Sequence, residues 1–156
     1  MARIEHFNNP SAPKPNSIVV AVTVFVQDDQ GRVLLIQRSD NDLWALPGGA
    51  QDFGEYITET AVRETREETG VEIEVAGLVG VYSNPNHVVQ YSDGEVRQQF
   101  SICFRGRYLS GDPTTSDESS SVRWVAQDHL DHLSIHPSMR LRVDHGFQWS
   151  PEPYLC

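Results

Sequence analysis

Glu64, Glu67 and Glu68 stand three and four residues apart. In a helix turning by about 100° per residue, that spacing gathers their carboxylates within about a third of the circumference. Near the C-terminal end of a helix such acids repel one another and also meet the negative pole of the helix dipole. Local propensity gives no reason for the trio. A divalent cation does, because oxygen-only ligands clustered on a rigid element suit Mg2+ or Mn2+, which in turn assist hydrolytic chemistry. The competing reading is a solvated acidic face, with Arg63 paired to Glu67 and Arg66 nearby. Just upstream, Gly48 and Gly49 follow Pro47, where the backbone can approach a ligand closely.

The elements that must position these residues can be read from periodicity. Ile57 to Thr69 has no Gly or Pro and stops at Gly70, which predicts a helix. Before it, Ser17 to Gln27 and Arg32 to Arg38 flank the turn residues Asp28-Asp29-Gln30-Gly31, the pattern of a β-hairpin. Pro47 to Tyr56 reads as a loop, with the two glycines ending regular structure. Beyond the helix, Glu72 to Tyr82 and Val96 to Tyr108 read as strands separated by a loop from Asn84 to Gly94, and residues 110 to 121 as another loop. Ser121 to Val125 is a short strand, and Gln127 to Leu133 and Pro137 to Val143 are short helices. The order implies an α/β (α+β) fold, a mixed sheet between helices. Three segments follow: an extended N-terminal arm over 1–16, a domain over 17–145 and a C-terminal tail over 146–156.

Composition narrows the function. With 156 residues and 38% apolar content, one core without disulfide support is expected. Cys103 and Cys156 have no metal-ligand spacing. No apolar h-region follows Met1, and the longest apolar run, Ile18 to Val26, is too short to span a bilayer. A cytoplasmic enzyme without membrane contact is therefore expected. The formal charge of −10 opposes a nucleic-acid polymer as partner, whereas bound cations can reverse the sign of one pocket for a small anionic substrate.

From Gly49 the sequence GAQDFGEYITETAVRETREETGV matches G-x5-E-x7-R-E-U-x-E-E-x-G-U, with U a bulky apolar residue. The matching positions are Gly49, Glu55, Arg63, Glu64, Glu67, Glu68, Gly70 and Val71. At average residue usage such identities coincide by chance at roughly one start position in 10⁸. This resembles the Nudix box, and Thr65 departs from it by standing at an apolar position. The resemblance implies an α/β/α sandwich and a hydrolase that cleaves a diphosphate linkage with Mg2+ or Mn2+. By the same resemblance, Glu67 and Glu68 would be the main metal ligands. Glu64 would be a ligand or the group polarising the attacking water, and the Gly49 carbonyl a further ligand. Arg63 would orient the acids, Glu55 would support Arg63 or a metal water, and Glu118, just before a late strand, stands where relatives recruit a base.

Outside the box, Arg38 reads either as a clamp on a substrate phosphate or as an exposed strand-end arginine. Trp44 would stack on the substrate or anchor the glycine loop, and His87 and Tyr91 would cap the pocket from their loop. His129 and His132 lie one helical turn apart without a third ligand, the pattern of a polar face. The box says little about what the diphosphate carries. In ADP-ribose-type members a proline commonly follows the box at a spacing close to that of Pro85 from Val71, which favours ADP-ribose or a nucleotide sugar. The alternative substrate is a nucleoside triphosphate, including an oxidised one. A silent nucleotide-binding module would show eroded glutamates, and a calcium-binding protein would need a D-x-D-x-D-G loop that the sequence lacks. A homodimer is compatible with the proline-rich arm.

Overall fold

The structure, a computed structural model, describes residues 3–156. Ten strands form one strongly bent sheet. They are β1 (Arg3–Phe7), β2 (Ser17–Gln27), β3 (Val33–Arg38), β4 (Trp44–Ala45), β5 (Gly48–Ala50), β6 (Glu72–Tyr82), β7 (His87–Tyr91), β8 (Val96–Ser110), β9 (Ser119–Val125) and β10 (Tyr154–Leu155). Helices α1 (Ile57–Thr69) and α2 (Pro137–Gln148) and a 3-10 turn at Gln127–His132 complete the chain. Among the described residues no helix is long and apolar enough to cross a membrane.

The apolar runs are dense because both faces of the sheet are covered, as in buried sheets generally. On one face Val22, Val24, Val26, Leu34 and Ile73 pack with Ala61 of α1 and with Val71. On the other, Phe25, Val33, Leu35, Val79 and Cys103 pack with Leu130 and with Val143 of α2. The alternation of Leu34 against Val33 and Leu35 is the period-two signature of a strand. Each fully buried branched or aromatic side chain contributes about 1.5–3 kcal/mol of burial, so the two cores lock the helices to opposite sides. The result is an α/β/α arrangement around a mixed sheet.

Three expectations need correction. The turn Asp28–Gly31 forms, with Asp28 Oδ1 accepting from the N–H groups of Gln30 and Arg32. The hairpin does not extend from it, because β2 and β3 pair only at Gln27↔Val33. β2 instead runs parallel to β8 from Ser17↔Arg97 to Gln27↔Arg107. Its other edge takes β5 at Ala21 to Thr23, so Gly48 and Gly49 belong to a strand. Apolar alternation fixes which face a residue uses; it does not name the neighbouring strand.

The second correction concerns the stretch from Asn84 to Gly94, which contains β7, paired with β8 and with β1. The third is α2, which continues five residues past Val143, to Gln148. Residues 3–7, in the segment read as an arm, form the sheet's edge strand from Arg3↔Tyr91 to Phe7↔His87. Tyr154 and Leu155 of the tail pair in parallel with β6.

Candidate active site

Helix α1 is entered and left by local chemistry. The Glu59 carboxylate accepts from the Tyr56 N–H at 2.9 Å, tying down one of the free donors of the first turn. Gly70 ends the helix at φ 74°, its N–H donating to the Arg66 carbonyl, a left-handed cap that favours glycine. Ala61 and Thr65 face the sheet. Thr65, at the box's apolar position, is buried and its hydroxyl donates to the Ala61 carbonyl at 2.8 Å. The departure from the motif is thus satisfied within the helix itself. This rotation turns Glu64 and Glu68 towards β5 and leaves Glu67 towards solvent.

Glu64, Glu68 and Glu118 each place a carboxylate oxygen within 4.8 Å of the others. Glu68 is buried, and its Oε1 accepts from the Gly48 N–H at 3.0 Å. Glu118 arrives from the loop before β9. Its carbonyl accepts from the Ser39 N–H, and the next residue, Ser119, donates to the Glu68 carbonyl at 2.7 Å. The close approach of β5 to α1 explains the glycines. A Cβ on Gly49 would lie 2.5 Å from the Glu64 carboxylate, and one on Gly48 would run into the Val22 carbonyl of β2. Glu67 is the outlier of the expected ligand set, with a side chain 57% exposed and hydrogen-bonded to Arg63 at 3.2 Å.

Arg63 holds this acidic set in place. Its fork closes on Glu55, with Nε to Oε2 at 2.6 Å and Nη2 to Oε1 at 3.0 Å. Nη1 donates to Glu64 at 2.9 Å, and Nη2 also reaches the Ala50 carbonyl at 3.2 Å. Glu55 therefore supports Arg63, one of the two roles considered for it. The Arg63 hydrogen bond is the main reason that the Glu55 pKa falls to about 2.

Glu68 moves the opposite way. Burial is the largest cause, and the fields of Glu64 and Glu118 add to it, so that its pKa rises to about 8 despite the Gly48 N–H. Glu64 is also raised, chiefly by burial, with Arg63 opposing. Crowding a buried, a half-buried and an exposed acid around a single arginine edge is unfavourable unless cations share the space. These oxygen donors, beside the carbonyl-bearing glycines of β5, fit a hard divalent cation.

Glu64 and Glu118 line one end of a cleft of about 300 Å³ whose walls also include Arg38, Trp44 and Tyr91, with Glu68 buried behind them. The Arg38 fork is engaged by Asp40, at 2.9 and 2.7 Å. Trp44 belongs to the core, with the Arg123 guanidinium 4.4 Å from its ring centroid. Tyr91 lies on β7 beneath the Arg97 guanidinium, at 4.8 Å, so it belongs to the sheet that floors the cleft and not to a capping loop. Pro85 lies in an adjoining hollow with Phe7 and Tyr82. The His129 and His132 rings stand 6.1 Å apart, and they join no ligand-type cluster among the described residues.

Sequence reasoning missed the other end of this cleft. There Glu5 of β1, His87 of β7 and His136 at the N-terminus of α2 also bring ligand-type atoms within 4.8 Å of one another. His87 Nε2 and Glu5 Oε1 are 2.6 Å apart, and His136 Nδ1 accepts from the Ser138 N–H at 3.2 Å. Burial would raise the Glu5 pKa, but the His87 hydrogen bond and the fields of His136, His87 and Arg3 lower it to about 2. Nothing in the local sequence links positions so far apart; the pairing of β1 with β7 and the docking of α2 join them.

The comparisons with known proteins agree with this geometry. A family model described as a NUDIX domain matches residues 18–145. A putative 8-oxo-dGTP diphosphatase of Bacillus subtilis is 35% identical over 107 residues, covering 69% of this chain and 66% of the relative. An ADP-ribose pyrophosphatase of Methanocaldococcus jannaschii is 34% identical over 119 residues, covering 74% and 66%. The chain thus spans about two thirds of the length of these relatives. The crystal structure of an ADP-ribose pyrophosphatase from Streptococcus suis superposes with a TM-score of 0.70 over 88% of this chain and 98% of that one. At 19% identity that likeness speaks for the fold alone. The matched domain and the shared fold place this chain in the Nudix hydrolase family.

Proposed function

We propose that the chain hydrolyses the diphosphate linkage of a nucleoside diphosphate derivative, with ADP-ribose or a nucleotide sugar as substrate and Mg2+ or Mn2+ as cofactor. The observation that carries this reading is the meeting of Glu64, Glu68 and Glu118 within 4.8 Å, beside Gly49 and at one end of a cleft sized for a small ligand. Glu64, Glu68 and the Gly49 carbonyl would hold the cation, with Glu67 close enough to share in a second. When bound, the cation neutralises charge on the diphosphate and acidifies water near neutral pH.

The side chains do the rest. Glu118, on its loop, or Glu64, whose pKa is raised, takes the proton from water as its oxygen bonds to phosphorus and the bridging P–O bond breaks. Arg63 keeps Glu64 oriented, and Glu55 keeps Arg63 in place. Arg38 would meet a phosphate if its fork turns from Asp40, while Tyr91 and the edge of Trp44 offer surfaces to the nucleoside. With ADP-ribose the products are AMP and ribose 5-phosphate. The family domain over 17–145 would carry the chemistry, in a cytoplasmic setting consistent with two free cysteines.

A second reading, hydrolysis of a nucleoside triphosphate including an oxidised one, is favoured by the relative named a putative 8-oxo-dGTP diphosphatase. Product identification over ADP-ribose, nucleotide sugars and normal or oxidised triphosphates decides between them. We expect Mn2+- or Mg2+-dependent release of AMP from ADP-ribose. Turnover confined to triphosphates would establish the second reading, and no turnover of any member would reject both.

A further inference from the structure

We propose that Arg142 and Arg3 form an anion subsite at the inner end of the cleft, which receives a second phosphoryl group of the substrate beyond the diphosphate that is cut. This inference rests on the proposed diphosphatase reading and narrows its substrate class.

Arg142, on α2, is 4% exposed, and among the described residues its buried Nε has no partner. Its guanidinium stands 5.1 Å from the centroid of the Tyr82 ring. A guanidinium keeps its proton, so its burial without an anion is costly. Three other arginines of the site are neutralised by carboxylates at 2.9 Å or less. Arg38 is forked to Asp40, Arg97 to Glu95 and Arg63 to Glu55. Arg142 is left in reserve.

Its surroundings indicate what it is reserved for. Arg3 of β1 lines the same cleft. Its contact with Glu5 is long, 3.7 Å, and its Nε is also buried without a partner among the described residues. Ser101 Oγ of β8, on the cleft floor, is a third buried polar atom with none. Glu5 is the carboxylate whose field reaches Arg142, yet it is drawn to His87 at 2.6 Å. His136 has its Nδ1 occupied by the Ser138 N–H. These groups supply spare donors and positive charge, and the carboxylate beside them, Glu5, is engaged by His87. A nucleobase or a neutral sugar would need acceptors as well as donors, whereas a phosphoryl group asks for donors and positive charge alone. Arg142 also lines the adjoining apolar hollow, whereas Arg3 and Ser101 line the cleft and not the hollow.

Such a phosphoryl group has two chemical sources, a phosphomonoester on the sugar or the terminal phosphate of a triphosphate. The test compares substrate pairs that differ by one phosphate. ADP-ribose is set against ADP-ribose 2′-phosphate, and a nucleoside diphosphate against its triphosphate, using wild type, Arg142→Met, Arg142→Lys and Arg3→Gln. Losing a charge-assisted hydrogen bond corresponds to about a 10- to 100-fold effect. In at least one pair, wild type should favour the phosphate-rich member by about that factor in kcat/KM. Arg142→Met should bring the ratio towards one, Arg142→Lys should restore part of it, and Arg3→Gln should shift it the same way.

The pair that responds identifies the source of the phosphate. Equal losses on both members, or no preference in wild type, would overturn the subsite while leaving the hydrolase intact. If no compound is turned over, the diphosphatase reading fails by itself. The subsite is then decided by metal-free thermal shift, where ADP-ribose 2′-phosphate should raise the Tm of wild type more than ADP-ribose does and should not do so in Arg142→Met. If Arg142→Met does not fold, Arg3→Gln carries the same comparison.

Discussion

Two groups of three ligand-type side chains border one cleft, Glu64–Glu68–Glu118, of which Glu64 and Glu118 line it, and Glu5–His87–His136, each with its atoms within 4.8 Å. By proximity alone they are alike, and electrostatics separates them. In the first, acids gather with one arginine edge between them, and Glu68 is pushed up to about 8. In the second there is a single acid, hydrogen-bonded by His87 and facing Arg3, and Glu5 falls to about 2. One cluster is short of positive charge and has room for a cation. The other closes on itself and ties β1, β7 and α2 together. Ligand-atom density is therefore a poor guide to a metal centre unless the charge balance is counted with it.

The sharpest way to break this contrast is to remove one acid from the open cluster. Glu68→Gln should lower metal-dependent turnover by about a hundredfold or more, beyond the usual loss from a mere supporting contact, while circular dichroism shows the fold retained. Near-normal turnover would remove Glu68 from the metal set. Arg63→Gln should cost about 10- to 100-fold in kcat, because Glu64 and Glu55 both lose the fork between them. An unchanged kcat would make that network ornamental.

The pKa shifts give the contrast a sign. A carboxylate raised above its ordinary 4.5, as Glu68 is, stabilises the fold below pH 4.5, and that stability is lost as pH rises towards about 8. Each pKa unit corresponds to about 1.4 kcal/mol, so the metal-free protein should lose several degrees of Tm between pH 5 and pH 8. Added Mn2+ should restore Tm most strongly at pH 8, through binding linkage. Glu5 is lowered to about 2, so its contribution is present above 4.5 and fades only in stronger acid, outside this window. A metal-free Tm that rises from pH 5 to pH 8 would contradict the assignment.

The smallest effect is expected at the closed cluster. His87→Ala should destabilise by about 1–3 kcal/mol, the range for leaving a buried partner unsatisfied. The Mn2+-induced Tm shift should stay as in wild type, and its disappearance would mean that the second cluster binds metal too.

How legible these regions were in the sequence follows from their range. The open cluster is mostly local. Helical spacing brought out Glu64 and Glu68, and Gly70 marked the end of the helix, where the structure has it. That spacing could not separate Glu67 from its neighbours, because which edge of the acidic stripe faces β5 depends on how Ala61 and Thr65 seat against the sheet. The closed cluster and Arg142 are brought to one cleft only by strand pairing and by the docking of α2, as in the approach of Glu5 to His136, 131 positions apart in sequence (136 − 5). Likewise the apolar runs placed β2, β3 and β8 in the core, while the parallel partnership of β2 with β8 carried no local mark.

The central claim concerns charge, and the most direct measurement is Mn2+ binding followed by electron paramagnetic resonance of the free ion at pH 7.5, on wild type and Glu68→Gln. Wild type should take up Mn2+ and release protons as it does so, and the variant should bind at least tenfold more weakly. Equal uptake by the two proteins, or none by wild type, would contradict the claim that this acidic trio exists to hold a cation.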